Sequence, residues 1–316
     1  MTNKQNWENG ISCILPTFRR PEGLNAALSS LVAQSSISRA LEIVVVDNDP
    51  DGSAREYVAK YAKTSPIEIV YLHISVPGVA NARNGALNIA RGRYIAWLDD
   101  DQEASTNWLS TLISTAKKYK AALTFCPTIA RIPGVSKYND FYVSFFERAG
   151  PEIKEGVLDS FFGCGNSLMD LQYCGLPNPA FDLSANETGG EDDILFAHIQ
   201  RQAGVLAWTR ECYTHEDIRP HRVTPSYLRK RSFAFGQGPT EMAADNKDVV
   251  GVIKWMLIGA IQCLVFLPLT IVSKIFGHRS YIRFMSKLYM GAGKILWFGN
   301  LKPKLYGQSA LKNAEF

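Results

Sequence analysis

A chain of 316 residues, with 46% hydrophobic and 20% charged residues, has the composition of an ordinary globular protein. It is long enough for one large domain with an appendage, and it shows no repeat or low-complexity tract that would indicate a solenoid, fibrous or disordered protein. The net charge of +4 is divided unevenly, because residues 1–217 carry −7 and residues 218–316 carry +11. We therefore expect two parts with different partners.

The basic part does not resemble a nucleic-acid-binding module. Its lysines and arginines are interleaved with long aliphatic stretches and belong to no DNA- or RNA-binding motif. Basic residues beside apolar ones instead suit a protein held on an anionic membrane surface, where each cation contributes roughly 1 kcal/mol. We predict a membrane surface as a partner and no nucleic acid.

The first hundred residues alternate apolar runs typical of strands with segments of helical spacing. We predict strands at 11–15, 41–47, 67–72 and 93–98, and helices at 22–34 and 79–90. Strand and helix in alternation predict an α/β fold with a parallel, doubly wound sheet. Ligands of such sheets bind at the carboxyl ends of the strands.

Three consecutive aspartates, Asp99, Asp100 and Asp101, follow the strand at 93–98. Neighbouring carboxylates repel one another unless a cation is present, and Mg²⁺ or Mn²⁺ takes oxygen ligands. An isolated acidic triplet is more often a solvated loop. Here Pro16-Thr17 and Asp47-Asn48-Asp49 follow two other strands, so three polar clusters are expected on one rim, which predicts a metal-dependent nucleotide site.

Further elements follow the triplet. We predict a helix at 107–119 and a strand at 121–126, and then a glycine-containing stretch at 161–170. Thr188 to Asp193 (TGGEDD) opens another helix, which places Glu191, Asp192 and Asp193 in its first turn. Acidic residues there gain about 0.3 to 1 kcal/mol each from the helix dipole, a purely structural explanation. The preceding glycines also permit the close approach of a ligand.

In four of its segments the chain resembles glycosyltransferase family 2, a family of inverting enzymes with the GT-A fold. The segments are SCILPTFRR at 12–20, VVVDND at 44–49, NARNGAL at 81–87 leading to LDDD at 98–101, and GGED at 189–192. A narrower resemblance, to bacterial exopolysaccharide glucosyltransferases of succinoglycan type, rests on GGED, a later histidine and the stretch from Arg231 to Gln237. The resemblance implies a Rossmann-like, mostly parallel sheet in residues 1–220.

The resemblance also assigns the donor site by position. It implies that Asp47 accepts a hydrogen bond from the base of a nucleotide sugar and that Arg83 reaches the base or the diphosphate. The residues implied to bind the donor are Pro16, Thr17, Arg19, Asp47, Arg83, Asp99 and Asp100.

The remaining roles follow in the same way. Asp101 would ligate Mg²⁺ or Mn²⁺ with His215, although a lone histidine is as often a packed or surface residue. Asp192 would be the catalytic base that takes the proton of the acceptor hydroxyl. Acceptor-binding residues would be Asn166, Gly190 and Glu191. Arg83, with Arg219, Arg222, Arg229 or Arg231, would help to neutralise the leaving diphosphate.

Residues 221–316 are expected to form a basic, hydrophobic helical region that associates with a membrane. Trp255 to Ser273 contains 19 residues without a charge, which is long enough to cross a bilayer of ~30 Å. Gln262 and Pro268 interrupt this run, and 281–298 has the pattern of an interfacial helix. We therefore favour a peripheral or re-entrant hairpin over a full span, with a buried core or an oligomer interface as the alternative.

These expectations converge on one function. We predict transfer of a hexose, with UDP-glucose the favoured donor, to a polyprenyl-diphosphate-linked saccharide in surface polysaccharide assembly. The N-terminus lacks a signal-peptide pattern, so the cytoplasmic face of a bacterial inner membrane is the expected location. The alternatives are a sugar nucleotidyltransferase, disfavoured because no glycine-rich loop follows the first strand, and a non-catalytic membrane-binding module. The sequence does not predict the oligomeric state.

Overall fold

The computed structural model describes residues 7–34, 39–134, 136–298, 301 and 303. These residues divide into two compact units. The first unit contains 7–130 and 147–217, and the second contains 131–146 and 218–303. Residues 131–146 thus leave the first unit, a detail that a single boundary near residue 220 does not anticipate; that boundary stays a prediction.

The strands belong to one large and one small sheet. They are β1 (Trp7–Thr17), β2 (Leu41–Asp47), β3 (Glu68–His73), β4 (Gly92–Trp97), β5 (Gln102–Ala104), β6 (Leu123–Phe125), β7 (Thr128–Arg131), β8 (Glu155–Leu158), β9 (Ser167–Asp170), β10 (Leu206–Thr209) and β11 (Thr214–Asp217). The larger sheet has the order β3-β2-β1-β4-β9-β6-β10-β8, and the smaller has the order β5-β11-β7. The predicted α/β class with a mostly parallel sheet is confirmed, since β3, β2, β1 and β4 are all parallel.

The helices of the first unit cover both faces of the large sheet. They are α1 (Pro21–Val32), α2 (Arg55–Ala62), α3 (Val79–Ile89), α4 (Trp108–Tyr119) and α6 (Glu191–Arg201), with a short 3-10 helix at Leu183–Asn186. Successive side chains of a strand point to opposite faces. Accordingly Leu15 of β1 packs in the core under α1 and α4, while its neighbour Ile14 packs in the core under α3 and α6.

Two features of this topology position the site. Strand β9 runs antiparallel between β4 and β6, so the loop before it reaches the carboxyl end of β4. Strand β5 directly follows the aspartate triplet and pairs with β11 in the small sheet. Strands β5, β9 and β11 have only three or four residues each. The sequence therefore predicts neither the position of β9 nor the pairing of β5 with β11.

The second unit is helical. It contains α5 (Asn139–Phe146), α7 (Pro225–Asp245), α8 (Val249–Ile275), α9 (Tyr281–Ile295) and a 3-10 helix at Pro220–Arg222. Glycines bring the long helices together: a Cβ on Gly259 would meet the carbonyl oxygen of Gly291 at 2.6 Å, so α8 and α9 touch through their backbones. Among the described residues α8 alone is long and apolar enough to cross a membrane, a statement about its length and composition.

Candidate active site

The middle aspartate of the triplet, Asp100, anchors the loop that follows β1. Its Oδ2 accepts hydrogen bonds from the Thr17 hydroxyl at 2.8 Å and from the Phe18 backbone N–H at 3.3 Å. Its Oδ1 accepts one from Arg20 Nη1 at 2.7 Å. Burial raises the pKa of Asp100, and Arg20 opposes that rise. Asp100 therefore holds the β1 and β4 ends of the rim together.

The third aspartate, Asp101, is held from two sides. The same Nη1 of Arg20 lies 3.0 Å from Asp101 Oδ2. The backbone N–H of Asp217, at the end of β11, donates to the Asp101 carbonyl oxygen at 2.8 Å. The small sheet thus ties the metal-site candidate to the strand that carries His215.

Arg83 joins the first aspartate to the start of α6. Its side chain is buried, with Nη1 donating to Glu191 Oε1 and Nη2 lying 3.7 Å from Asp99 Oδ1. The guanidinium also lies over the rings of Trp97 and Phe181, at 5.9 Å and 5.6 Å from their centroids. Asp99 and Glu191, which are 92 positions apart in the sequence, therefore share one arginine.

Burial raises the pKa of Glu191 to about 7, and the positive charge of Arg83 limits the rise. The carboxyl group therefore changes its protonation state near neutral pH, at the first residue of α6. Such a position is typical of a functional group, although structural ion pairs also shift pKa values.

Asp192 faces the same region through the loop that precedes β9. Its Oδ2 accepts from the backbone N–H of Cys164 at 2.8 Å, and its Oδ1 accepts from the N–H of Asp193 at 3.0 Å. A Cβ on Gly165, one residue further along this loop, would overlap the carboxylate of Asp99. The loop at 163–165 thus touches both Asp192 and Asp99, which brings the triplet and the proposed base together.

The donor-site candidates on β1 and β2 differ in accessibility. Pro16 is half-buried, and Thr17 lies opposite Asp47 in the parallel pairing of β1 with β2. Exposed Arg19 binds both carboxylate oxygens of Asp49 at 3.0 Å. A cavity of about 230 Å³ lies beside these residues, lined by Thr17, Arg19, Arg20, Pro21, Leu24, Ser53, Ala54 and Tyr57.

Asp47 is fully buried and its oxygens already accept internal hydrogen bonds. Oδ1 accepts from the Asp49 N–H at 3.1 Å, and Oδ2 accepts from the Ala54 N–H at 2.8 Å and the Tyr71 hydroxyl at 2.9 Å. Asp47 thus fixes the turn after β2, and its contact with a nucleotide base stays a prediction.

Asn166 has a structural task that differs from the predicted acceptor binding. Its Oδ1 accepts from Trp108 Nε1 at 2.8 Å and from the Cys126 thiol at 2.9 Å. Its Nδ2 lies 2.9 Å from three acceptors, the carbonyl oxygens of Cys126 and Pro127 and the Thr128 hydroxyl. With the side chain buried and both ends of the amide in use, Asn166 is left out of the acceptor site proposed below. Gly190, by contrast, is the N-cap of α6 with φ +89°, directly before Glu191.

His215 lies on β11, where it pairs with Glu103 of β5. Extending that register pairs Asp217 with Asp101, and alternate residues of a strand share a face, so His215 and Asp101 are on the same face of the small sheet. The described residues contain no cluster of three or more His, Cys, Asp or Glu side chains that could hold a metal ion. Mg²⁺ is nevertheless commonly held by only one or two protein carboxylates, with substrate phosphates and water completing its coordination. The Asp101 carboxylate is a suitable donor group for such a metal, and the roles of Asp101 and His215 as its ligands stay predictions.

Comparison with known proteins identifies the family to which this chain belongs. The family model for Glycosyl transferase family 2 matches residues 12–172, which include the triplet. The chain is also 33% identical to the succinoglycan biosynthesis protein ExoM of Rhizobium meliloti, over 73% of this chain and 74% of that protein. The chain belongs to glycosyltransferase family 2. The family model ends before α6, so it does not reach Glu191 or Asp192.

A second relative is WfaP of Escherichia coli, named as a UDP-Glc:alpha-D-GlcNAc-diphosphoundecaprenol beta-1,3-glucosyltransferase. It is 27% identical over 54% of this chain and 64% of its own length. Among solved structures, the mannosyltransferase PcManGT of Pyrobaculum calidifontis, in complex with GDP-Man and Mn²⁺, aligns with a TM-score of 0.61 and 15% identity. That alignment covers 93% of this chain and 89% of PcManGT, and at this identity it shows the fold alone.

Sequence reasoning missed two residues that shape this family 2 site. Arg20 contacts two of the three aspartates, and its place in the SCILPTFRR segment alone does not indicate this role. Gly165 leaves room for Asp99. The two consecutive arginines after Pro16-Thr17-Phe18 are a signal that could have indicated Arg20. The role of Gly165 depends on the packing of β9 and has no local signal in the sequence.

Proposed function

We propose that this glycosyltransferase moves a hexose from a nucleotide diphosphate, with UDP-glucose the favoured donor, to a lipid-linked saccharide with inversion at the anomeric carbon. The observation that carries the proposal is the link made by Arg83 between Asp99 and Glu191, with Asp192 next to Glu191 on α6 and hydrogen-bonded to the loop at 163–165. One crevice then contains a donor rim, a permanent cation and a carboxylate that can accept a proton.

On the donor side, Thr17, Arg19 and the cavity beside them are the proposed contacts of the base and ribose. The volume of about 230 Å³ is below the ~300 Å³ typical of a complete small-molecule site, and we therefore propose that the cavity holds the base while the sugar lies outside it. The names of WfaP and of a second UDP-Glc enzyme of Escherichia coli, WfgD, support UDP-glucose as the first donor to test.

The proposed metal ligands are Asp101 and His215. When bound, Mg²⁺ or Mn²⁺ supplies positive charge against the negative charge that develops on the leaving diphosphate. Arg83 contributes a fixed positive charge beside Asp99, already oriented by Glu191 and by two aromatic rings. A charge that needs no reorganisation during the reaction stabilises a transition state most effectively.

On the acceptor side, Asp192 is the proposed base. Two backbone N–H groups hold its carboxylate in one orientation, while the side chain stays half-exposed. The acceptor hydroxyl would transfer its proton to this carboxylate as its oxygen attacks the anomeric carbon and the bond to the diphosphate breaks. Glu191 and the backbone at Gly190 are the proposed acceptor contacts.

We further propose that the second unit attaches the enzyme to the cytoplasmic face of the bacterial inner membrane, in a peripheral or re-entrant manner. The outer face of α8 is apolar and exposed, with Val250 at 77% and Leu264 at 76%. Helix α9 packs beside α8, and the ring centroids of Phe284 and Phe266 are 6.0 Å apart. The side chains of Arg283 and Lys287 on α9 are exposed. A full span would carry these two cations into the hydrocarbon, at a cost of about 2.5 to 3.5 kcal/mol each or more.

The test of the proposed function is a donor screen. Membranes containing the overproduced full chain are incubated with UDP-, GDP- and dTDP-sugars and with lipid-linked saccharides from the host, with and without EDTA. We expect metal-dependent transfer from one UDP-sugar, and the configuration of the product is read by NMR. Turnover of none of the donors, together with no metal-dependent nucleotide binding by calorimetry, would indicate a non-catalytic module instead.

A further inference from the structure

Arg20 occupies the position of a cation in the acidic rim. A single nitrogen, Nη1, lies 2.7 Å from Asp100 Oδ1 and 3.0 Å from Asp101 Oδ2. The side chain of Arg20 is 15% exposed, and those of Asp100 and Asp101 are 10% and 11% exposed. The Asp101 carboxylate is therefore covered by a guanidinium at the place where the proposed function requires a metal.

The fold builds this contact from both sides. Arg20 is the N-cap residue of α1, so its backbone is fixed by the start of that helix. A Cβ on Gly23, in the first turn of α1, would overlap the carbonyl oxygen of Asp100. The turn thus lies directly against the triplet, and Thr17 and Phe18 hold Asp100 from the same loop. The position of Arg20 beside the aspartates is therefore set by the packing of α1 against the triplet.

Two arginines lie beside the three carboxylates. Arg83 lies beside Asp99, and Arg20 lies between Asp100 and Asp101. An arginine side chain stays charged at every pH at which a protein is folded. Without such a partner, three adjacent carboxylates in a partly buried crevice would repel one another strongly.

We infer that Arg20 is the resident counter-ion of Asp101, and that a divalent metal reaches Asp101 only by displacing Arg20 from it while Arg20 keeps its bond to Asp100. This inference rests on the proposed role of Asp101 as a metal ligand. A metal that must displace a guanidinium binds weakly alone and tightly when the donor's diphosphate supplies further ligands. Metal and nucleotide therefore enter together, and the rim stays ordered between turnovers.

The experiment is a Mn²⁺ titration followed by EPR, with the full chain in detergent, in the absence and presence of UDP. For the wild type we expect Mn²⁺ to bind at least about tenfold more tightly with UDP than without it. For Arg20→Gln and Arg20→Met we expect Mn²⁺ alone to bind at least about tenfold more tightly than to the wild type, since the competing cation is gone. Arg20→Lys restores a positive charge and should return the affinity toward the wild-type value.

The matched control is Arg55→Gln, because Arg55 is an exposed arginine at the start of α2 that contacts His73 and Tyr71 and none of the three aspartates in the described hydrogen bonds and ion pairs. Its affinity for Mn²⁺ alone should equal that of the wild type. Circular dichroism identifies which of the two neutral variants is folded, and either one suffices. Mn²⁺ affinity in a folded neutral variant that equals or falls below the wild-type value overturns the inference, while UDP-dependent binding of Mn²⁺ to the wild type would still support the proposed function. Wild-type protein that binds no Mn²⁺ even with UDP overturns both.

Discussion

Single residues couple the two halves of the crevice. Arg83 donates from Nη1 to Glu191 and places Nη2 beside Asp99, while its buried guanidinium lies over the rings of Trp97 and Phe181. Buried ion pairs of this kind add little net stability, because desolvation offsets the attraction, but they fix geometry. Removing one partner leaves the other buried and unpaired, so we expect such changes to disturb both the alignment of donor and acceptor and the stability of the fold.

Glu191 makes the stability of the protein depend on pH in a direction opposite to that of most carboxylates. Its pKa is about 7 in the folded protein, against an ordinary value of 4.5. The folded state therefore retains a proton that the unfolded chain has released, and the stability that this proton contributes is lost as the pH rises through about 7. We predict that the melting temperature of the wild type, relative to that of Glu191→Gln, falls between about pH 5 and about pH 8.

Thermal melting of both proteins across this range tests the prediction, and Glu152→Gln, which changes an exposed glutamate, is the control. The wild type should keep a constant difference from the control at all pH values. If its difference from Glu191→Gln is also constant, Glu191 is ionised throughout and its pairing with Arg83 outweighs its burial.

Gly165 is predicted to be necessary for donor binding. A methyl group there would overlap the Asp99 carboxylate and push it away from Arg83. We expect Gly165→Ala to lower the affinity for the UDP-sugar by about ten- to a hundredfold without unfolding the protein. The control is Gly163→Ala, whose Cβ would lie at an ordinary 3.5 Å from Asp192 Oδ2. Equal donor affinity in the two variants, measured by calorimetry, would show that the position of Asp99 is unimportant for the donor.

At the scale of elements, the short strands decide the position of the site. Strand β9 delivers the loop at 163–165 to the carboxyl end of β4, and β11 pairs with β5 directly after the triplet. Both are four residues long, so neither could stand alone; β9 is paired on both sides, by β4 and β6, and β11 by β5 and β7. The helices, in contrast, supply the two apolar layers that cover the sheet.

Helix α8 is the element that we expect to carry membrane binding. Leu257, Ile261 and Leu264 are each at least 60% exposed on its outer face. Burying one such side chain in a bilayer contributes about 1.5 to 3 kcal/mol. Changing all three to glutamine should therefore reduce the affinity of the full chain for anionic vesicles by more than about tenfold.

The control for this prediction changes three exposed apolar residues of the first unit, Val157, Leu183 and Ile194, to glutamine. It removes a similar apolar area from the protein and should leave vesicle flotation unchanged. Equal losses in the two triple variants would show that α8 has no special part in membrane binding, and release of the wild type by carbonate alone would exclude a full span.

At the scale of the whole molecule, the sequence predicted what depends on local patterns. The alternation of strand and helix in the first hundred residues, the rim at the ends of β1, β2 and β4, and the apolar tail helix are all signalled by periodicity and by where the polar residues begin. Asp99 and Glu191 could be assigned to one crevice only through the family resemblance.

The remaining features depend on tertiary packing. Helix α2 and helix α5 were missed, since each has only eight residues and α5 lies in an aromatic stretch without clear helical spacing. The role of Asn166 stays a prediction, because an asparagine beside glycines has the same sequence pattern whether it binds a ligand or ties Trp108 and Cys126 together in the interior, as its hydrogen bonds do here. The pairing of Arg20 with two aspartates is likewise set by how α1 lies against the triplet.

The most direct measurement compares Asp192→Asn with Asp193→Asn, its exposed neighbour on the same helical turn. Each full-length variant is assayed for transfer from the UDP-sugar identified in the donor screen and for binding of Mn²⁺ with UDP. We predict that Asp192→Asn binds Mn²⁺ and UDP as the wild type does and loses transfer by about 10² to 10⁴-fold, because no group remains to accept the proton. Asp193→Asn should retain transfer. Wild-type transfer by Asp192→Asn would contradict the assignment of the base and, with it, the mechanism proposed for this crevice.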